Sequence, residues 1–415
     1  MLTLSSGAKL KGTVKSEPGD FVVEEIADNG TVLEIGKRYS SEDLGLKSSD
    51  NGNFSVFVMQ KSNWNTIQAL RAVSKKLMKG VRSAGFAGTK DRISISTQLC
   101  SIFGATPEQL QSIHIKDIAI NGAWRSDSGI TMGQLLGNRF TINVRNVSGN
   151  ADIGAINEEL NGIFPNYFGE QRFGFRDNNV KIGIAMLRGD FKEAIMEFLT
   201  GTGNESKPEA TAARRDLSET QDFKEALKSF PTYLKYERIM LEYLSKYPSN
   251  YANAMRTLPR QLSLMFIHAV ESQIFNRELE ERVKGKEVNP SEGDLACPRN
   301  SYSFPDLNNV KRFRHEDSSD QLLMVGNIVG YETKHSTDTE ERIMDEMDIT
   351  TDSFKINGLK ELSCRGTYRA LFAPYKGFSY AKQEDGRIKL SFSLPSGSYA
   401  TILSSEFVES NKSIQ

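Results

Sequence analysis

The 415-residue chain is poor in cysteine, with only Cys100, Cys297 and Cys364. They are odd in number, far apart and never in a C-x-x-C pair. That argues against a disulfide scaffold or a thiolate zinc site and fits a reducing compartment. The four histidines, His114, His268, His315 and His335, are scattered, with no H-E-x-x-H and no metal-ligand spacing. Each reads as a structural or surface residue. Net charge is −1, so a nucleic-acid footprint has to come from local segregation of charge. No apolar run reaches membrane-spanning length, and residues 1–15 carry no apolar signal core. The expectation is a cytoplasmic protein without a membrane partner. There is no internal repeat and no low-complexity tract.

Cofactor loops are missing too. Gly80 and Gly85 have the spacing of a phosphate loop, but Phe86 follows Gly85 and Asp91 follows Lys90, where that loop needs Lys and then Ser or Thr. Gly201-Thr202-Gly203 lacks the third glycine of a dinucleotide fingerprint, and no strand leads into it. No metal and no small-molecule cofactor are expected.

What is present begins with ordinary globular composition, 25% charged and 38% hydrophobic, and length for two or three domains. Strands are expected around Phe21-Val22-Val23, Phe54–Met59 (residues 54–59), residues 93–103 and residues 140–144. A helix capped by Asn65 or Thr66 carries Ile67, Leu70, Val73 and Leu77 as an apolar stripe and ends near Gly80. Its Arg71, Lys75 and Lys79 share a solvent face. A helix is expected over residues 156–164. From about Val180 helical patterns dominate, including 182–188, 191–199, 233–247 and 261–283. The acid-rich run 332–352 reads as a solvated face or loop. Strands return after Gly366, ending at 390–394 and 399–403. Strand-rich, helix-rich, strand-rich order suggests one domain inserted in another.

The stretch Phe86-Ala87-Gly88-Thr89-Lys90-Asp91-Arg92 stands out. Asp91 is the sole acid between Gln60 and Arg92, against eight Lys and Arg including Lys61, Lys90 and Arg92. On pattern alone Asp91 reads equally as a polar turn residue or as a functional carboxylate. In the second reading, small residues keep the loop thin, Lys90 and Arg92 meet phosphate, and Asp91 meets the sugar or base. A second dense segment is Asn166-Tyr167-Phe168-Gly169-Glu170-Gln171-Arg172-Phe173-Gly174. Aromatics there can stack on a base, amides can read its edge and Arg172 can hold phosphate. The bland alternative is a core turn. Trp64 and Trp124 read as packing residues.

These segments together resemble the TruD family of tRNA pseudouridine synthases, of the archaeal type, across most of the chain. Gly88-Thr89-Lys90-Asp91-Arg92 with Thr97-Gln98 is similar to its GTKDR…TQ signature. Asn166 to Gly174 resembles NYFGxQRFG. Gly137-Asn138-Arg139-Phe140, Pro18-Gly19-Asp20-Phe21-Val22-Val23-Glu24 and Phe392-Ser393-Leu394-Pro395-Ser396-Gly397-Ser398-Tyr399-Ala400-Thr401 resemble three further motifs, in family order. Departures are Ile93-Ser94, Ser404-Ser405, and Glu271, where the family commonly has glutamine.

The resemblance implies an α+β fold. A pseudouridine synthase catalytic domain with a mixed sheet and flanking helices (residues 1–181 and 362–415) is interrupted by an α/β TRUD domain (182–361). It implies isomerisation of uridine to pseudouridine in tRNA, at position 13 of the D arm. It gives Asp91 the catalytic role and puts Lys15, Phe21, Asn166, Phe168 and Tyr399 along the active-site cleft. The reaction breaks a C–N bond and makes a C–C bond with no net oxidation. Asp91 acts on base or sugar as a nucleophile, or as a base. Alternatives of other classes are an RNA-binding module without chemistry and an N-glycosidase. Oligomeric state is not readable from the sequence.

Overall fold

The structure is a computed structural model that describes residues 1–410. It contains two compact units. The sheet unit comprises Thr3–Pro165, Pro298–Asp306 and Phe372 onward; the helical unit comprises Met1–Leu2, Asn166–Cys297 and Leu307–Leu371. The sequence change expected at 181/182 and 361/362 thus lies inside the helical unit's two long segments. Residues 166–181 belong there because Asn166 N–H bonds the Leu371 carbonyl at 2.8 Å and Phe168 N–H bonds Asn276 at 2.8 Å.

The sheet unit is built on a 10-stranded mixed sheet. Its main path runs Lys376–Lys382, Ile388–Pro395, Gly137–Ser148, Phe21–Ile26, Ile95–Phe103, Phe54–Ser62 and Ile118–Ser126. Phe21–Ile26 pairs antiparallel with Gly137–Ser148 and parallel with Ile95–Phe103, so it is central. Phe54–Ser62 reads as a continuous run because both its faces are covered: Phe57 and Met59 pack on one side, Val56 and Val58 on the other. The exit strand Ile163–Pro165 and the re-entry strand Phe372–Pro374 pair with each other, Phe372 opposite Pro165. The chain therefore leaves and rejoins this unit at adjacent points.

The helical unit centres on the 26-residue helix Arg260–Gly285. Helices Asn179–Leu187, Phe191–Thr200 and Lys235–Lys246 bury Ile182, Met186, Leu199 and Leu241 with its Ile267 and Ile274 in one core. A four-stranded sheet completes the unit. No helix among the described residues is long and apolar enough to cross a membrane.

Four local expectations need correction. Residues 399–403 are not a strand: Tyr399 is the N-cap of helix Ala400–Phe407, which buries Leu403 and Phe407 one turn apart. The β-branched pair Thr401-Ile402 suggested a strand, but tertiary burial overrides that propensity. The helix expected over 156–164 is Ile153–Leu160, stopped by Asn161 in the left-handed region (φ 47°), and a strand follows. The basic helix ends at Lys76 rather than near Gly80, with Met78 taking the left-handed position (φ 54°). The acid-rich run is a solvated face except at Glu340: helix Asp338–Glu346 exposes Asp338, Glu341, Asp345 and Glu346, while Glu340 is wholly buried and accepts from the Asn327 amide at 2.8 Å.

Candidate active site

The central strand carries two successive carboxylates, and alternation sends Glu24 and Glu25 to opposite faces. Glu24 pairs with Arg139 at 2.7 Å. Glu25 accepts from Leu99 N–H at 2.9 Å and meets the Lys90 ammonium at 2.6 Å. The side chains of Lys90 and Glu25 are 4% and 1% exposed. A buried charge of this kind is tolerable only when paired and hydrogen-bonded. The phosphate role expected for Lys90 is therefore corrected: its ammonium is an internal anchor and does not reach solvent.

The anchor fixes the whole loop between strands Ala84–Phe86 and Ile95–Phe103. Lys90 N–H bonds Thr66 Oγ1 at 2.8 Å, and Thr66 Oγ1 donates to Gln98 Oε1 at 2.8 Å. Gln98 in turn donates to the Gly88 carbonyl at 3.0 Å. Ser94 Oγ donates to the Asp91 carbonyl at 2.8 Å. The Thr97-Gln98 pair and the loop are thus one hydrogen-bonded body. Ile93, expected in the strand, is an exposed loop residue.

Lys61 adds a buried cation beneath the loop. Its ammonium donates to the carbonyls of Trp64 at 2.6 Å, Asp91 at 3.1 Å and Lys90 at 3.5 Å. Burial, helped by the neighbouring Lys90 charge and opposed by Asp91 and Cys100, pushes its pKa down to about 8. The sequence counted Lys61 only as part of a basic field. Its phase was the overlooked signal, because Phe57, Met59 and Lys61 fall on one face of the strand and all three are wholly buried.

Asp91 itself turns outward, its side chain 57% exposed. It forms an ion pair with Lys15, which is distant in sequence. Lys15 has φ 66°, an unusual left-handed conformation for a long side chain. Its ammonium lies 4.6 Å from the Phe21 ring centroid. Phe21 is buried, with its ring edge-on to Phe140 at 5.9 Å. Phe21 thus supports Lys15 rather than opening to solvent. Arg92 is exposed, and its guanidinium donates to Asn63 at 3.2 Å. Tyr399 is half-buried at its helix N-terminus. The exposed cations Arg71, Lys75, Lys76, Lys79 and Arg82 belong to this unit as well.

Asn166, Phe168 and Arg172 form a cluster within the helical unit. Asn166 is buried, donating to the Ala370 carbonyl at 2.9 Å and accepting from Arg369 at 2.8 Å. Phe168 exchanges two backbone bonds with the Asn276 amide, at 2.8 and 3.0 Å. Its ring packs edge-on to Phe275, and the guanidiniums of Arg369 and Arg172 lie over it at 4.2 and 5.1 Å. The base-stacking face expected of Phe168 is occupied in this conformation. Arg369 was missed and no motif pointed to it; Asn276 ends a segment, residues 266–276, that resembles the family, but no role was expected of it.

The sequence profile described as tRNA pseudouridine synthase D (TruD) matches residues 2–407. A Methanosarcina acetivorans protein named tRNA pseudouridine synthase D is 31% identical over 427 residues, covering 96% of this chain and 93% of the relative. One from Methanococcus vannielii is 33% identical over 402 residues, covering 95% of each. The crystal structure of a Methanosarcina mazei protein titled tRNA pseudouridine synthase D superposes with TM-score 0.78 at 29% identity. It covers 98% of this chain and 95% of that one. An α+β fold with a mixed sheet and this similarity define an isomerase of the RNA pseudouridine synthase class. Within that class, the chain belongs to the tRNA pseudouridine synthase D (TruD) family.

Proposed function

We propose that this enzyme isomerises uridine 13 in the D arm of tRNA, with Asp91 as its catalytic carboxylate. The observation that carries this reading is the contrast at one peptide bond. Lys90 is locked inside by Glu25, while Asp91 is held at the surface with Lys15 as partner. A carboxylate on a loop this firmly tied is preorganised for attack or proton transfer. The target uridine has to leave its stack to reach it. Lys15 aims the Asp91 carboxylate, and Phe21 holds Lys15. Arg92 and the cations of the Thr66–Lys76 helix draw in phosphate. Within the sheet unit Tyr399 contacts the substrate; within the helical unit Asn166 shapes the backbone and Arg172 contacts RNA.

The sheet unit is the catalytic domain in this reading and the helical unit is the family's inserted domain. The compartment is the cytoplasm, where unmodified tRNA is met. Incubation of the purified chain with unmodified tRNA and position-resolved mapping of pseudouridine tests the proposal. The expected result is modification at position 13 without change of mass. Release of free uracil would turn the reading to a glycosidase, and binding without modification to a plain RNA-binding protein.

A further inference from the structure

A second cluster of reactive side chains lies in the helical unit, outside the residues given a role above. His268 and Glu271 sit one turn apart on helix Arg260–Gly285. A His268 ring nitrogen, Nδ1, is 2.7 Å from Glu271 Oε2. Cys364 follows the short turn Lys360–Leu362. One donor atom from each of His268, Glu271 and Cys364 lies within 4.8 Å of the other two.

Glu271 is the telling member. Its side chain is 5% exposed, and its neighbours in the cluster are an imidazole and a thiol, neither of which is a fixed cation. A carboxylate buried this deeply needs partners that offset its desolvation. The Arg260 guanidinium acts on Cys364 in the same cluster, and a metal cation would offset the Glu271 carboxylate directly. His268 is 39% exposed, which leaves a path from solvent to the cluster.

We propose that His268, Glu271 and Cys364 form a binding site for one zinc ion. The donor set is one nitrogen, one carboxylate oxygen and one sulfur, the mixture that suits Zn²⁺ and ill suits Mg²⁺ or Ca²⁺. Tetrahedral zinc, with bonds of about 2.0–2.3 Å, sets its donors roughly 3–4 Å apart. Small side-chain shifts bring the three to that spacing. On binding, the Cys364 thiol gives its proton to solvent and the thiolate bonds the metal. Zn²⁺, one carboxylate and one thiolate then sum to zero charge, which relieves the buried Glu271. Water takes the fourth position on the His268 side. The ion would tie the long helix to the segment at Cys364, and the proposal does not depend on the reaction assigned to Asp91.

Titration of the full-length chain with Zn²⁺ against a competing chelator, repeated with Co²⁺, tests it. The expected result is one ion per chain, with a thiolate-to-cobalt charge-transfer band. Glu271→Gln keeps the size and shape of the side chain, so it is expected to fold, and it should weaken binding at least tenfold. Cys364→Ser should remove the band. Circular dichroism of both variants checks the fold without metal. Absence of stoichiometric uptake by the parent chain would overturn the proposal. So would unchanged affinity in Glu271→Gln, or a band that survives in Cys364→Ser.

Discussion

The Lys90 ammonium lies 2.6 Å from a Glu25 carboxylate oxygen, and both side chains are buried. One residue further on, Asp91 is open to solvent. The pair links the central strand to the loop, so the placement of Asp91 depends on a contact it does not itself make. Lys90→Met leaves the Glu25 carboxylate buried without its cation. The expected loss of stability is about 3–5 kcal/mol. Replacing both residues by apolar ones should recover part of it, the remainder reflecting the Leu99 N–H that Glu25 satisfies. Denaturant unfolding of the two variants measures this.

Lys61 gives the enzyme an alkaline limb. Its pKa is near 8 in the folded chain against 10.5 ordinarily, so between these values the unfolded chain holds more protons. This group's contribution to stability therefore rises with pH across that window and is lowest below it. Activity should move the other way. Three carbonyls receive the ammonium, and a neutral amine has only two protons to offer. The rate is expected to fall as pH passes about 8, and Lys61→Met should be slower throughout but lack that inflection. A pH–rate profile of both proteins checks the sign.

Asp91 is exposed enough that its ion pair with Lys15 adds little to stability, about 0–1 kcal/mol. The value of Lys15 is in catalysis if it orients the carboxylate. Lys15→Met should leave the melting temperature nearly unchanged and lower kcat roughly a hundredfold. Lys15→Gly relieves the left-handed backbone and should be slightly more stable than Lys15→Met, yet equally slow. Single-turnover rates and thermal melts separate these effects.

Arg71, Lys75 and Lys79 are exposed. If they meet phosphates, Lys75→Gln with Lys79→Gln should weaken tRNA binding and reduce the slope of log K against log salt. The expected reduction is about 0.7–0.9 per residue removed. An unchanged slope would move the RNA footprint elsewhere.

Much of the architecture was legible because it is periodic. The helix expected over 261–283 is Arg260–Gly285, and the strand expected over 54–59 from its β-branched and aromatic density is Phe54–Ser62. The motif around Asp91 identified the loop, and the structure places that side chain at the surface. The fate of Lys90 was not legible, since its partner Glu25 is 65 positions away and only the parallel pairing beside the central strand joins them. Phe168 looked like a stacking ring because composition does not reveal that Arg369, from the other end of the helical unit's sequence, lies over it. Helix Ala400–Phe407 read as a strand because local β propensity outweighed a short helical period. The grouping of His268 and Glu271 with Cys364 likewise arises only from tertiary contact.

The central claim is that Asp91 performs the chemistry from a loop that other residues hold. The most direct measurement is pseudouridine formation at single-nucleotide resolution by Asp91→Asn, alongside its affinity for the same unmodified tRNA. The account predicts undetectable modification with affinity within a few-fold of the parent and an unchanged melting temperature. Modification at the parent rate by a folded Asp91→Asn protein would contradict it.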